Sequence, residues 1–104
     1  MKKAKVFVKG IEAGTLTEVD RGKEYLFEYI EDYTGLDVSR TMPKSIKVYK
    51  FNRFPPFFDG LLPEGIQLAG LLKIKKIDKY DYFSQLMAVG SDMVGAVTVK
   101  EIVE

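Results

Sequence analysis

Alternation of apolar and polar positions dominates the first third of the chain. Lys5-Val6-Phe7-Val8 is a β-rich run that places Ala4, Val6 and Val8 on one face. Gly10 to Gly14 punctuates it, and Thr15-Leu16-Thr17-Glu18-Val19 reads as a second strand. Asp20-Arg21-Gly22 supplies a turn. Tyr25-Leu26-Phe27-Glu28-Tyr29-Ile30 reads as a third strand with Tyr25, Phe27 and Tyr29 on one side. Short gaps rich in turn residues make these an antiparallel meander. Residues 31–43, with Gly35 and Pro43, read as a loop, and Ser45-Ile46-Lys47-Val48-Tyr49 as a fourth strand.

The period then changes. Pro63 suits the first position of a helix in which Leu68, Leu71 and Leu72 share a face. Asp78 or Asp81 suits the cap of another, with Phe83, Leu86, Met87 and Gly90 at i, i+3, i+4 and i+7. Gly90-Ser91-Asp92 stops it, and Val94 to Val99 reads as a final strand. Strands grouped before helices predict an α+β fold. Its core would be a small antiparallel sheet of about five strands, with two or more helices packed to one side. The 104 residues fit one domain with a single core.

Between the fourth strand and the first helix lies the densest apolar stretch, Phe54-Pro55-Pro56-Phe57-Phe58-Asp59-Gly60-Leu61-Leu62-Pro63-Glu64-Gly65. Phe54, Phe57, Phe58, Leu61 and Leu62 either cover one end of the sheet or remain exposed beside Arg53, Asp59 and Glu64. An exposed apolar cluster on a loop with charged neighbours is a candidate for partner docking.

Composition removes most chemistry. Apolar residues make up 46% and charged ones 30%, an ordinary globular balance. With no cysteine and no histidine, disulfides, thiolate metal sites and Ser-His-Asp catalysis are excluded. No glycine-rich phosphate loop is present. Glu31 with Asp32, and Asp78 with Asp81, read as solvated or capping carboxylates. Lys73-Ile74-Lys75-Lys76 reads as a solvated helix end, and the tyrosines as sheet packing. A formal net charge of +1 gives no nucleic-acid footprint. The N-terminus Met1-Lys2-Lys3-Ala4-Lys5 is not followed by the apolar core of a signal peptide. No apolar run reaches the roughly 18 residues of a membrane span, so a cytoplasmic protein is expected.

Two motifs carry a family resemblance. Pro56-Phe57-Phe58-Asp59-Gly60-Leu61-Leu62-Pro63-Glu64-Gly65 resembles the signature of the small N-terminal subdomain of HipA-type serine/threonine kinase toxins. The run from Asp81 to Val97 is similar to the family's acidic-aromatic helix followed by a Gly-x-Asp-x-x-Gly-Ala turn, here Gly90, Asp92, Gly95 and Ala96. Gly14-Thr15-Leu16 in the opening meander also fits. The resemblance covers nearly the whole chain but none of a kinase's nucleotide-binding or catalytic residues. It therefore resembles the stand-alone form of split HipBST toxin–antitoxin systems.

That resemblance implies a non-catalytic antitoxin without cofactor, metal or small-molecule substrate. Its partners would be a HipT- or HipA-like kinase and a HipB-like helix-turn-helix protein through which DNA is contacted indirectly. The implied partner interface is Phe57, Phe58, Asp59, Leu61, Leu62, Pro63, Glu64 and Ile66, with Asp59 and Glu64 at its rim. Alternatives are a scaffold role without inhibition, a fragment of a longer toxin, and a nucleic-acid module using Lys2, Lys3, Lys5 and Lys73 to Lys76.

Overall fold

The first two strands, β1 (Lys2–Val8) and β2 (Ile11–Asp20), are joined by the two-residue turn Lys9-Gly10. Both turn residues have positive φ, 50° and 80°, the pair of conformations that matches the twist of a tight hairpin. β3 (Glu24–Tyr29) runs antiparallel to β2, β4 (Val48–Phe51) pairs with β3, and β5 (Val97–Ile102) pairs with β1. The result is a five-stranded sheet in the order β4-β3-β2-β1-β5. Helices α1 (Pro56–Asp59), α2 (Gly65–Lys75) and α3 (Tyr82–Val89) separate β4 from β5. The computed structural model describes residues 1–91 and 95–103.

Strand alternation sorts the two faces as the pattern predicts. Ala4, Val6 and Val8 of β1, Leu16 of β2, Tyr25, Phe27 and Tyr29 of β3, and Val97 and Val99 of β5 are buried. Phe58 of α1 and Phe83 and Leu86 of α3 complete the same core. Lys5, Glu28, Lys50 and Lys100 alternate with these and are exposed, so the sheet has one covered and one wet face.

Several boundaries move, each for a physical reason. β2 begins at Ile11, and Gly14 lies inside it. A Cβ on Gly14 would strike the Glu28 carbonyl and come within 3.0 Å of the Phe27 ring, so this glycine serves close strand packing. β4 begins at Val48 rather than Ser45, because Ile46 N–H turns back to the Pro43 carbonyl at 3.2 Å and the pairing with β3 reaches only to Val48 opposite Glu28. β5 runs to Ile102 because β1 offers Lys5, Ala4 and Lys3 as partners for Lys100, Glu101 and Ile102. Asp92 and Val94, assigned to the turn and the last strand, lie outside the described residues.

Pro63 does not open a helix. The chain enters α2 through Gly65 at φ 60°, and the proline that occupies a first helical position is Pro56. The intervening loop between β3 and β4 is pinned by tyrosine hydroxyls. Tyr29 donates to the Met42 carbonyl and accepts from Val38 N–H at 2.9 Å. Tyr33 donates to the Leu36 carbonyl at 2.5 Å, and Tyr49 to the Pro43 carbonyl at 2.7 Å.

Of the two candidate caps, Asp78 and Asp81, it is Asp81 that caps α3. One carboxylate oxygen accepts from Ser84 N–H at 3.2 Å and the other from Ser84 Oγ–H at 2.8 Å. Lys2 and Arg21 each approach within 3.8 Å of Asp81. One carboxylate thus links the start of β1, the β2–β3 turn and α3. Burial pushes its pKa up, but the Ser84 hydrogen bonds and the two cations outweigh burial and hold it below the ordinary 3.8.

Gly14→Ala should cost roughly 1–3 kcal/mol of unfolding free energy by overpacking, read as a lower midpoint in urea. Because the Asp81 pKa is depressed in the folded state, its contribution is present above 3.8 and lost as pH falls through the folded value. Asn can still cap, so Asp81→Asn removes chiefly the charge. The stability gap between wild type and Asp81→Asn should therefore narrow from about pH 5 towards pH 2. A gap constant across that range would refute the assignment.

Candidate functional site

The apolar segment after β4 divides between interior and surface. Phe54 is 6% exposed and meets Tyr25 edge-on at 5.3 Å and Tyr82 at 5.7 Å. Pro55, buried beside it, sets the extended entry to α1 (φ −58°, ψ 130°). Phe58 is fully buried and lies 6.0 Å from Phe27 and 5.2 Å from Phe57 between ring centroids. Edge and tilted contacts of this kind add to the burial energy of each ring.

Past Phe58 the chain stays tightly wound. Asp59 N–H donates to the Pro55 carbonyl and Gly60 N–H to the Pro56 carbonyl, both at 3.0 Å. Leu61 N–H donates to Phe58 and Leu62 N–H to Asp59, both at 3.1 Å. The loop is therefore a rigid ledge anchored by Phe54, Pro55 and Phe58.

The eight residues assigned to an interface fall into three groups. Phe58 is core and presents no surface. Phe57, Leu61 and Leu62 pack partly on the core and stay partly open, and Pro63 is half-buried. Asp59 and Glu64 are exposed, and Ile66 is 91% exposed. The structure thus brings Phe57, Leu61, Leu62 and Pro63 together on the ledge and places Ile66 at the start of the next helix.

Helix α2 extends this surface beyond the sequence assignment. It has no buried residue. Leu68, Leu71 and Leu72 do share its more covered side, but Ile74 on the other side is 78% exposed. Ile66, Leu68, Ala69, Leu71, Leu72 and Ile74 surround the helix, and a helix apolar all round is ordinarily buried. That absence of a polar face was the available signal for Ile74. Lys73 and Lys75 stand in the last turn, where the helix dipole favours cations. The helix closes on Lys76 at φ 54°.

Tyr25 donates to buried Glu18 at 3.0 Å and accepts from Gly22 N–H at 3.0 Å. Burial, with Glu18 adding to it, pushes the Tyr25 pKa up to about 12, so the hydroxyl stays protonated. Among the described residues no group of three or more side chains is placed to hold a metal ion, and no helix is long and apolar enough to cross a membrane.

Comparison with known proteins gives the surface a context. The family model described as the HipA N-terminal domain matches residues 4–100. A solved structure described as the N-terminal domain of HipA toxin superposes with a TM-score of 0.78 at 30% identity, covering 100% of this chain and 95% of its own. An uncharacterized protein of Haemophilus influenzae is 33% identical over 101 residues, 97% of this chain and 93% of its length. A Sinorhizobium fredii protein named "Putative kinase Y4mE" is 30% identical over 77 residues, 74% of this chain, but the match spans only 18% of that protein.

The division between anchor and surface is measurable. Phe58→Ala should lose about 3–5 kcal/mol of stability as a core truncation, whereas Ile66→Ala should stay within about 0.5 kcal/mol of wild type. Denaturant unfolding of the two variants checks both. An equally large loss at Ile66 would mean that α2 is seated in the core.

Proposed function

The chain belongs to the HipA N-terminal domain family, and from that premise we propose that it is a non-catalytic antitoxin. It binds a HipA- or HipT-type serine/threonine kinase and holds it inactive, as the small HipS component of a split HipBST system. The observation that carries this reading is the apolar surface left open past Phe58: the half-covered Phe57, Leu61, Leu62 and Pro63, and Ile66 at 91% exposure three residues further along the chain. A lone domain gains nothing from holding such groups in water, and a desolvated apolar centre with a charged rim is the anatomy of a binding hot spot.

The relatives support it from two sides. The domain makes up nearly the whole length of the Haemophilus protein and a small part of the one named as a kinase. A contact made within one polypeptide in the second case can be made between two chains. The ledge is already ordered, so little entropy is lost on docking. Phe57, Leu61, Leu62, Pro63 and Ile66 form the apolar centre, Asp59 and Glu64 the polar rim, and Phe58 supports them from beneath. Inhibition follows if the bound kinase prefers an inactive state or has its cleft covered. A HipB-like helix-turn-helix protein completes the assembly and makes its DNA contacts.

The small share of the Sinorhizobium protein that matches also favours a second reading, a structural subunit that scaffolds a HipA kinase with a HipB-like protein without inhibiting it. Mixing separates the two. A HipA-family kinase from the same genome is followed by co-elution and autophosphorylation, with and without this protein. The antitoxin reading expects co-elution and loss of phosphorylation. Co-elution with full activity transfers the role to a scaffold, and no co-elution overturns both.

A further inference from the structure

Three residues on α2 stand one turn apart: Ile66, Gly70 and Ile74. They lie on the side away from Leu68, Leu71 and Leu72, and at 1.5 Å per residue they span about 12 Å. We infer that this side of α2, centred on Gly70, receives an α-helix of the partner kinase whose apolar stripe is flanked by acidic side chains. The inference rests on the kinase-docking reading above and extends its surface from the ledge to the far end of α2.

Gly70 is the informative residue. A glycine inside a helix weakens it relative to alanine. Among the described residues a Cβ here would meet nothing within 4 Å, and the half-buried Gly70 is not among the glycines with positive φ. Neither packing nor backbone conformation within this chain calls for glycine. Between two isoleucines, 91% and 78% exposed, the missing side chain leaves a notch. A ridge of side chains on a crossing helix fits such a notch at short interaxial distance.

Charge selects the occupant. No acidic residue lies between Gly65 and Ile77, while Lys73, Lys75 and Lys76 are exposed around the end of α2. A helix with Asp or Glu beside its apolar stripe complements this, steering the encounter and fixing its direction. A second copy of α2 offers only Glu64 against those lysines. The kinase-named relative carries this domain within a chain more than five times the matched length, since the match is 18% of it, so kinase polypeptide is available to cover the helix.

The test uses the full 104-residue protein and a HipA-family kinase from the same genome, with affinity and thermal midpoint measured together. Gly70→Ala should raise the midpoint by several degrees. Gly70→Leu and Ile74→Asp should keep a wild-type circular dichroism spectrum and weaken kinase binding at least tenfold. If both bind like wild type while Ile66→Asp does not, kinase docking stands and this inference falls. If the unaltered protein fails to bind the kinase, both fall. If it instead sediments as a dimer that Gly70→Leu converts to monomer, the occupant is a second copy and the kinase helix is overturned.

Discussion

The seating of Phe58 against Phe27 is the constraint on which the rest of the structure depends. With Phe54 and Pro55 it nails an irregular, proline-rich segment onto the inner face of the sheet. The space beneath that face is then filled by Phe58, Phe83 and Leu86, and α2 finds no core left to sit on. It rides outside, with no residue buried. The rigid ledge and the exposed helix have one cause: the core closes with α1 and α3 and leaves α2 over.

Exposed isoleucine is costly in a way that suggests what α2 is for. Each isoleucine moved from water into a packed environment contributes about 1.5–3 kcal/mol, and the free domain forgoes that at Ile66 and Ile74. A partner that covers them recovers it. The ledge beside them is already locked by its own hydrogen bonds, so the gain is not offset by ordering a loop. One relative, named as a putative kinase, carries this domain within a much longer chain; in the reading proposed here the kinase is a separate chain that covers the helix.

Much of the fold was legible because it rests on local pattern. Period-two alternation in Ala4-Val6-Val8 and Tyr25-Phe27-Tyr29 located the sheet's inner face, and Phe83, Leu86 and Met87 at helical spacing located α3, with Asp78 and Asp81 left as alternative caps. What was not legible depends on partners distant in sequence. Gly14 looked like turn punctuation because only the Glu28 carbonyl across the sheet explains it. Lys100-Glu101-Ile102 became strand because β1 was there to pair with it. Pro63 and Pro56 are equally good helix openers by type, and Gly65 at positive φ decided against Pro63.

The candidate surface was half legible. The motif named the segment, but sequence could not separate Phe58, which points inward, from its neighbour Phe57, which remains partly open. Direction on a one-turn helix is set by what lies beneath it.

The account's central claim is that the ledge and α2 are one docking surface. Hydrogen exchange of this protein, alone and with a HipA-family kinase from the same genome, tests it most directly. The account predicts new protection concentrated in residues 57–75, with the amides of β1, β2 and β3 unchanged. Protection confined to the wet face of the sheet around Lys5, Lys50 and Lys100, with α2 exchanging as freely as before, would contradict it.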